Sequence, residues 1–375
     1  MDTLLILGYR KGLIEAVEKL GFEAVLWDEK PVSSKIARLC RQTIVAPFGD
    51  ETSPPESIDP SLKSYSFRAV IAVKEKAVVT AAWLRQWWGI PGLSLEEALR
   101  CHDKKFMKEH ALQHQLPITE FRLIDENTQT EDLVAHWNYP FVVKPRCSSG
   151  RRGLQIITEG YPPLPRQHIA ERFINGDECS VESFVVDGKM AFMNVTQYYR
   201  LMHANIVPAA FPPETQAAII DLNERVLRAF NITRGMTHVE FFQCGNSLLF
   251  GEIAIRPPGG YIMNLLEQAY GQPMWECYLH AELNLPIPVL KPQAYTASWI
   301  IHPGAGTVHH ISGLEKCRED PNVVDSKIRL AVGDTISSRL GVGEDVGRIL
   351  LKAPSYTSLE QSLLNIEKHL RIECS

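Results

Sequence analysis

The sequence predicts a multidomain chain that mixes α/β and α+β structure and opens on a parallel α/β domain. Its 375 residues suffice for two or three domains at about 150 residues each. TLLIL at 3–7 and EAVLWD at 23–28 are apolar runs separated by a helical pattern, the order of a βαβ unit. From 166 to 260 the pattern changes to short alternating strands with one helix, at 214–230.

Composition narrows the function classes. Hydrophobic residues make up 45% and charged residues 22% of the chain, which excludes wholesale disorder and collagen-like repeats. Lys plus Arg is 39 and Asp plus Glu 44, a net charge of −5. That balance argues against a dedicated nucleic-acid or membrane-surface binder. The eight cysteines form no CxxC pair, so near neighbours build neither a zinc knuckle nor a redox motif. They read as reduced thiols in a cytoplasmic protein. The first apolar run is too short for a signal peptide. The longest uncharged stretch, 292–314, carries His, Thr, Ser, Gly and Pro and is no transmembrane helix.

The elements follow in order. The run 3–7 ends at Gly8 and reads as a strand buried on both faces. Gly8 and Gly12 flank a turn. Leu13, Val17 and Leu20 then recur at helical spacing until Gly21. GYRKG lacks the third glycine of the dinucleotide fingerprint. Residues 51–60 read as a surface loop. AVIAV at 69–73 is another buried strand, followed by Lys74, Glu75 and an apolar helix whose Trp83, Trp87 and Trp88 belong to the core. Ser94-x-x-Glu97 is a capping box. Asp103 caps a further helix carrying Lys104, Lys105 and Lys108. FVVKP at 141–145 is a strand ending in Lys and Pro. The Pro-bearing stretch 284–293 is the best domain boundary. A final helix starts at a Ser358-x-x-Gln361 box, with Leu359, Leu363, Ile366 and Leu370 on its apolar face.

The strongest chemical signal lies in residues 236–260, MTHVEFFQCGNSLLFGEIAIRPPGG. Two alternating runs flank Gly245-Asn246-Ser247, a β-hairpin pattern. With Asn246 at the centre, Glu240 opposes Glu252, and His238, Ala254 and Arg256 share their face. Val239, Phe241, Ile253 and Ile255 share the other. Carboxylates directly across a ladder repel. Either a divalent cation joins them, with an oxygen-only donor set favouring Mg²⁺ over zinc, or the face is solvated with Arg256 as counter-ion. A second signal is Lys144 at a strand end, followed by Ser148, Ser149, Gly150 and Gly153 with Arg151 and Arg152. Small residues let backbone amides approach an anion; a plain exposed turn satisfies the same pattern. A third is residues 170–189, where Glu171 and Glu178 flank an Asn-Gly-Asp turn; a hairpin with charged edges satisfies it equally. There is no Walker A loop, no GxSxG and no HExxH, and His238-x-Glu240 is not followed by PCxxC.

Taken in order, these signals resemble the ATP-grasp superfamily, and within it the carboxylate–amine ligase branch that includes the bacterial L-amino acid (dipeptide) ligases. The likeness rests on five motifs: IPGLSLEEALRCHDKKFMKEHAL, FVVKP, the Ser/Gly loop, ERFINGDECSVE and HVEFF…LLFGEIAIRPPGG. It implies an N-terminal α/β domain over 1–100, an ATP-grasp domain over 101–290 with a small α+β lid at about 117–185, and an α+β extension over 291–375. ATP would lie between the lid and the larger α+β region. Lys104 and Lys144 would contact its phosphates, and the loop from Ser148 to Gly153 would cover them. Glu171 and the Phe173 backbone would meet adenine, Glu178 the ribose, and His203 the phosphate end. Glu240 and Glu252 would hold Mg²⁺, or Mn²⁺ in its place. Arg256 and Lys144 would act on the reacting carboxyl group, with Gly259 and Gly260 bordering it. One departure is Ala254, where many members place a metal-binding Asn.

The activity so implied is ATP-dependent joining of a carboxylate to an amine through an acyl phosphate, with amino acids or small peptides as substrates. Its partners would be ATP and those small molecules, with no nucleic acid or membrane, and a homodimer is compatible with it. Two other functions fit the same motifs: a carboxyphosphate-using carboxylase of the purine-biosynthesis type, and a non-catalytic ATP-binding regulator.

Overall fold

The computed structural model describes residues 2–49, 60–245 and 247–375. Most of the loop expected at 51–60, and Asn246 of the hairpin turn, lie outside the described residues. The N-terminal sheet has four parallel strands in the order Cys40–Val45, Glu23–Asp28, Thr3–Leu7, Phe67–Ala72. A parallel pair needs a crossover, and the helix Lys11–Lys19 supplies the first. The central strand is buried throughout because each face meets a different core. Leu4 and Ile6 face one core, and Leu5 and Leu7 the other.

The first of those cores is shared along the chain. Helices Ile262–Tyr270 and Met274–Glu282 pack their apolar faces against Leu13, Ile14 and Val17. They come close at Gly12, where a Cβ atom would lie within 2.3 Å of the Trp275 ring. Gly12 therefore belongs to the first turn of the helix rather than to a turn before it. Trp83 and Trp88 are half-buried and Trp87 is 43% exposed. The expected core role thus fails for Trp87, because Ala81, Ala82 and Leu84 present the buried face of the helix Val78–Trp88.

An eight-stranded antiparallel sheet forms the centre. Its order is Ser247–Ala254, Gly235–Cys244, Asp177–Val186, Lys189–Arg200, Ala204–Val207, Tyr295–Ile301, Gly347–Ala353, Val323–Ile328. The pairing of Ala204–Val207 with Tyr295–Ile301 carries the sheet across the Pro-bearing stretch at 284–293. Helix Pro213–Ala229 covers one face with Ile219, Leu222 and Val226. A smaller antiparallel sheet, ordered Phe121–Ile124, His168–Arg172, Phe141–Pro145, Gln155–Ile157, packs with helix Thr130–Trp137 around its own core. The last helix spans Tyr356–His369 and is capped by the Ser355 hydroxyl, which accepts from the Ser358 amide. It begins before the expected Ser358 box because Ser355 already satisfies that amide. Leu359, Leu363 and Ile366 are buried as its spacing requires, and Leu370 packs beside them.

Gly12→Ala tests the shared core. Alanine raises intrinsic helix stability by up to about 1 kcal/mol over glycine, but its methyl collides with Trp275. We expect net destabilisation of about 1–3 kcal/mol, as for other overpacked sites, read by urea denaturation. An unchanged or raised midpoint would mean that the two helices do not close on each other.

Candidate active site

One cavity of about 1530 Å³ opens where the parallel strands end and the central hairpin begins. Ligands of open α/β sheets gather at the carboxyl ends of their strands. Here those ends supply Arg10, Lys74 and Glu75.

The hairpin places Glu240 opposite Glu252 and His238 opposite Ala254. Beyond Glu240 the register shifts, so that Phe241 faces Phe250 and Cys244 faces Ser247. The expected symmetry about Asn246 thus holds only at the upper end. Gly251 occupies the irregularity, where a Cβ would lie 2.9 Å from the Phe242 ring and 3.1 Å from the Glu240 carbonyl oxygen. Val239, Phe241 and Ile253 are buried in the core behind, leaving the opposite face to the cavity.

Glu240 is held by neighbours. Tyr198 donates its hydroxyl to Oε1 at 3.2 Å, and His238 Nε2 lies 3.4 Å away. Burial pushes the Glu240 carboxyl up, but His238, Tyr198 and Lys144 outweigh it and hold it down to about 2. His238 reaches the other way to Glu182, 2.9 Å from Nδ1. Glu182 is fully buried and accepts from Ser180, Asn194 and Thr196. Burial lowers the His238 pKa, but hydrogen bonds to the two carboxylates raise it to about 9. The imidazolium therefore lies between a core carboxylate and a cavity carboxylate. Sequence reasoning missed Glu182. Its signal was the alternation itself, since Glu178, Ser180 and Glu182 share one strand face.

Glu252 lies 3.4 Å from Lys104 Nζ. Lys104, nearly buried at the start of the helix capped by Asp103, also donates to the Ser148 carbonyl at 2.7 Å. One lysine thereby ties the Ser/Gly loop to the carboxylate pair. Ser148, Ser149 and Gly150 line the cavity with Arg151 and Arg152, whereas Gly153 is not among the lining residues and backs onto Pro145. Arg151 pairs with Glu178 at 3.2 Å. Burial and the nearby Glu240 raise the Glu178 carboxyl. From the other side, Gly150 accepts from the Val342 amide at 2.9 Å, and Arg152 donates to the Val342 carbonyl at 2.8 Å.

Lys144 lines the cavity and pairs with Glu171 at 2.8 Å. The second oxygen of Glu171 lies 3.2 Å from Lys108, which is 1% exposed. Burial raises the Glu171 carboxyl, and the two lysines bring it down to about 2. Sequence reasoning assigned no role to Lys108. Its position one helical turn after Lys104 was the available signal. Glu171, the partner of Lys144, and Phe173 are both outside the lining residues. His203 is also outside them, with Nδ1 3.2 Å from the Ile300 carbonyl. Gly259 and Gly260 do line the cavity. At Gly260, with φ +61°, a Cβ would lie 2.7 Å from Asn205 Nδ2.

Arg256 closes the row. Its Nε donates to Glu75 at 2.8 Å and one terminal nitrogen to the Pro257 carbonyl at 3.0 Å. Glu75 also meets His102 at 2.9 Å, and burial is outweighed by Arg256 and His102 so that its carboxyl falls to about 2. The counter-ion of Arg256 is thus Glu75, not the hairpin pair.

Among the described residues no cluster of three or more His, Cys, Asp or Glu side chains could hold a metal alone. Two facing carboxylates open to a cavity are instead a partial oxygen set. That suits a hard cation whose remaining ligands come from phosphate and water.

The raised His238 pKa has a signed consequence. A group at about 9 when folded and about 6.5 when unfolded contributes stability that is complete below about pH 6.5 and fades as pH rises through 9. The stability gap between wild type and His238→Gln should therefore shrink from pH 6.5 to 9.5 in chemical denaturation. A gap independent of pH would mean that the imidazole is neutral.

Comparison with known proteins agrees with this architecture. Residues 109–264 match the ATP-grasp domain, and residues 298–375 match the L-amino acid ligase C-terminal domain 2. The chain is 25% identical over 316 residues to an L-arginine-specific L-amino acid ligase of Bacillus subtilis, covering 77% of this chain and 76% of that protein. Its structure resembles an L-amino acid ligase from Bacillus licheniformis with a TM-score of 0.80 at 20% identity, covering 100% and 99% of the two chains. It also resembles N5-carboxyaminoimidazole ribonucleotide synthetase from Thermotoga maritima, with a TM-score of 0.77, 20% identity and full coverage of both. The chain carries an ATP-grasp domain and an L-amino acid ligase C-terminal domain, and it resembles the L-amino acid ligases.

Proposed function

We propose that the chain spends ATP to activate a substrate carboxylate as an acyl phosphate and joins it to the amine of an amino acid or small peptide. The observation that carries this reading is the facing pair Glu240 and Glu252, with Lys104, Lys144 and Arg256 lining the same cavity. The L-amino acid ligase domain over 298–375 supports it further. Residues 101–290, with a lid at about 117–185, would form the ATP-binding unit, and 1–100 and 291–375 would flank it.

A carboxylate resists attack because its leaving group would be oxide; phosphorylation replaces that with phosphate. Lys104 and Lys144 would bind the phosphates, and Ser148 to Gly153 would cover them and exclude water. Glu171 and the Phe173 backbone would mark the adenine end, Glu178 the ribose, and His203 would approach the phosphates after loop movement. In the present arrangement Lys144 is neutralised by Glu171, so nucleotide would compete with that pair. Glu240 and Glu252 would hold Mg²⁺ or Mn²⁺. Such a cation, when bound, offsets the negative charge that carboxylate and triphosphate bring together. Arg256 would stabilise charge at the acyl centre, bordered by Gly259 and Gly260. Ala254 cannot act as a ligand, so both carboxylates would be needed. The chemistry and the reduced thiols fit a cytoplasmic enzyme.

The direct test is ADP release over pairs of amino acids, each compound also tested alone. Release that needs two partners supports the ligase. Release that needs bicarbonate with a single amine would support the carboxylase instead.

Two variants test the assignments. Glu252→Gln should lower turnover by orders of magnitude with the fold intact; near-normal turnover at limiting Mg²⁺ would remove the metal assignment. Arg256→Lys keeps charge but loses the two-pronged geometry. We expect ATP affinity within a few-fold of wild type and a kcat lower by about 10²–10³. Joint loss of both would make Arg256 a ground-state phosphate contact.

A further inference from the structure

The cavity wall formed by the N-terminal sheet is rich in cations that already have partners. Lys11 reaches Glu15 at 3.6 Å, Lys74 reaches Asp28 at 2.6 Å, Lys76 reaches Glu29 at 3.8 Å, and Lys19 pairs with Glu276. Lys30, on the same wall, is exposed to solvent. Arg10 differs from all of these. It lines the cavity, and its Nε is buried with no acceptor. Among the described residues no carboxylate pairs with it. Burial, and then repulsion by Arg256, hold it below the usual arginine range.

Arg10 is half-buried, with its Nε enclosed and the rest of the guanidinium at the cavity, and a charge held there without a counter-ion is stabilised when an anion joins it. The backbone around Arg10 points the same way. Arg10 is the N-cap of the helix Lys11–Lys19, which has no capping side chain and no acidic residue in its first turn. The first amides of a helix lack acceptors within it, and here Lys11 and Gly12 face the cavity. Trp275 closes against Gly12, so this donor edge is fixed by packing. Arg256 has Glu75 as counter-ion, and Arg10 has none.

We propose that Arg10, with the first turn of the helix Lys11–Lys19, binds a substrate carboxylate that is not the one activated. The inference rests on the ligase reading, in which Arg256 faces the reacting carboxyl group. A planar guanidinium receives a carboxylate through two parallel hydrogen bonds, and the helix start adds backbone donors. Two sources share this chemistry: the α-carboxylate of an amino acid serving as the amine, and the side-chain carboxylate of an acidic acyl donor. Simple amines without a carboxylate would be poor acceptors in the first case.

The test uses wild type, Arg10→Gln and Arg10→Lys of the full chain. Binding is measured by isothermal titration in a non-hydrolysable ATP analogue, and ADP release is measured on the same preparations. The probes are the proteinogenic L-amino acids and their α-carboxamides, with glutamate against glutamine for the side-chain source. Amidation should weaken wild-type binding about tenfold or more, the loss of a charge-assisted pair. Arg10→Gln should weaken the carboxylate by a similar factor and no longer distinguish it from the amide, and Arg10→Lys should fall between. Its melting temperature should equal or exceed that of wild type, since an unpaired charge has been removed. Sensitivity to α-amidation identifies the amine substrate as the source, and sensitivity to glutamine for glutamate identifies the acyl donor. If Arg10→Gln distinguishes the probes as wild type does while two-partner ADP release proceeds, the subsite is wrong and the ligase reading stands. If no pair releases ADP but carboxylate binding depends on Arg10, the ligase reading falls and the anion subsite stands.

Discussion

Two carboxylates that face each other across one rung of an antiparallel ladder repel, and the cavity is organised around that repulsion. Glu240 is steadied by Tyr198 and by an imidazolium that is itself anchored on fully buried Glu182. Glu252 is approached by Lys104. Behind them, Lys144 and Lys108 share Glu171, and Arg256 shares Glu75 with His102. Positive and negative groups thus alternate from the sheet interior to the cavity rim. Removing one member of such a chain leaves its neighbour uncompensated, which is far more costly than losing a surface pair.

The fold makes this alternation possible by holding charged groups on continuous backbone. Glu178, Glu182, His238, Glu240 and Glu252 belong to three adjacent strands in fixed register. Lys104 and Lys108 come from one helix, and Lys144 and Glu171 from neighbouring strands of the small sheet. The Ser/Gly loop joins these layers and touches a third, through Val342. A movement of that loop would alter contacts to Lys104, Glu178 and the 339–345 segment together.

Local signals in the sequence located much of this. The βαβ opening, the Ser94 and Asp103 caps and the facing of Glu240 and Glu252 follow from periodicity and capping chemistry. The register shift at Gly251 did not, because the extra residue turns Phe250 to the core face beside Phe241 and Ile253, against the strict alternation that the sequence pattern was read with. Glu182 and Lys108 were equally hidden. Each looks like an ordinary charged residue until the tertiary fold removes it from water. The sharing of one core between the N-terminal sheet and residues 262–282 depends on contacts more than 200 residues apart, which no local pattern reports. The order of motifs, rather than any single one, carried the likeness to the ATP-grasp superfamily.

On the proposed function, the facing carboxylates would form a cation site completed by nucleotide. Electron paramagnetic resonance of Mn²⁺ tests it directly, comparing wild type with the double variant Glu240→Gln/Glu252→Gln, with and without a non-hydrolysable ATP analogue. We expect weak Mn²⁺ uptake by the wild-type protein alone, tight uptake once the analogue is present, and loss of the protein-bound signal in the double variant. Equal Mn²⁺ uptake by both proteins in the presence of bound analogue would contradict that reading.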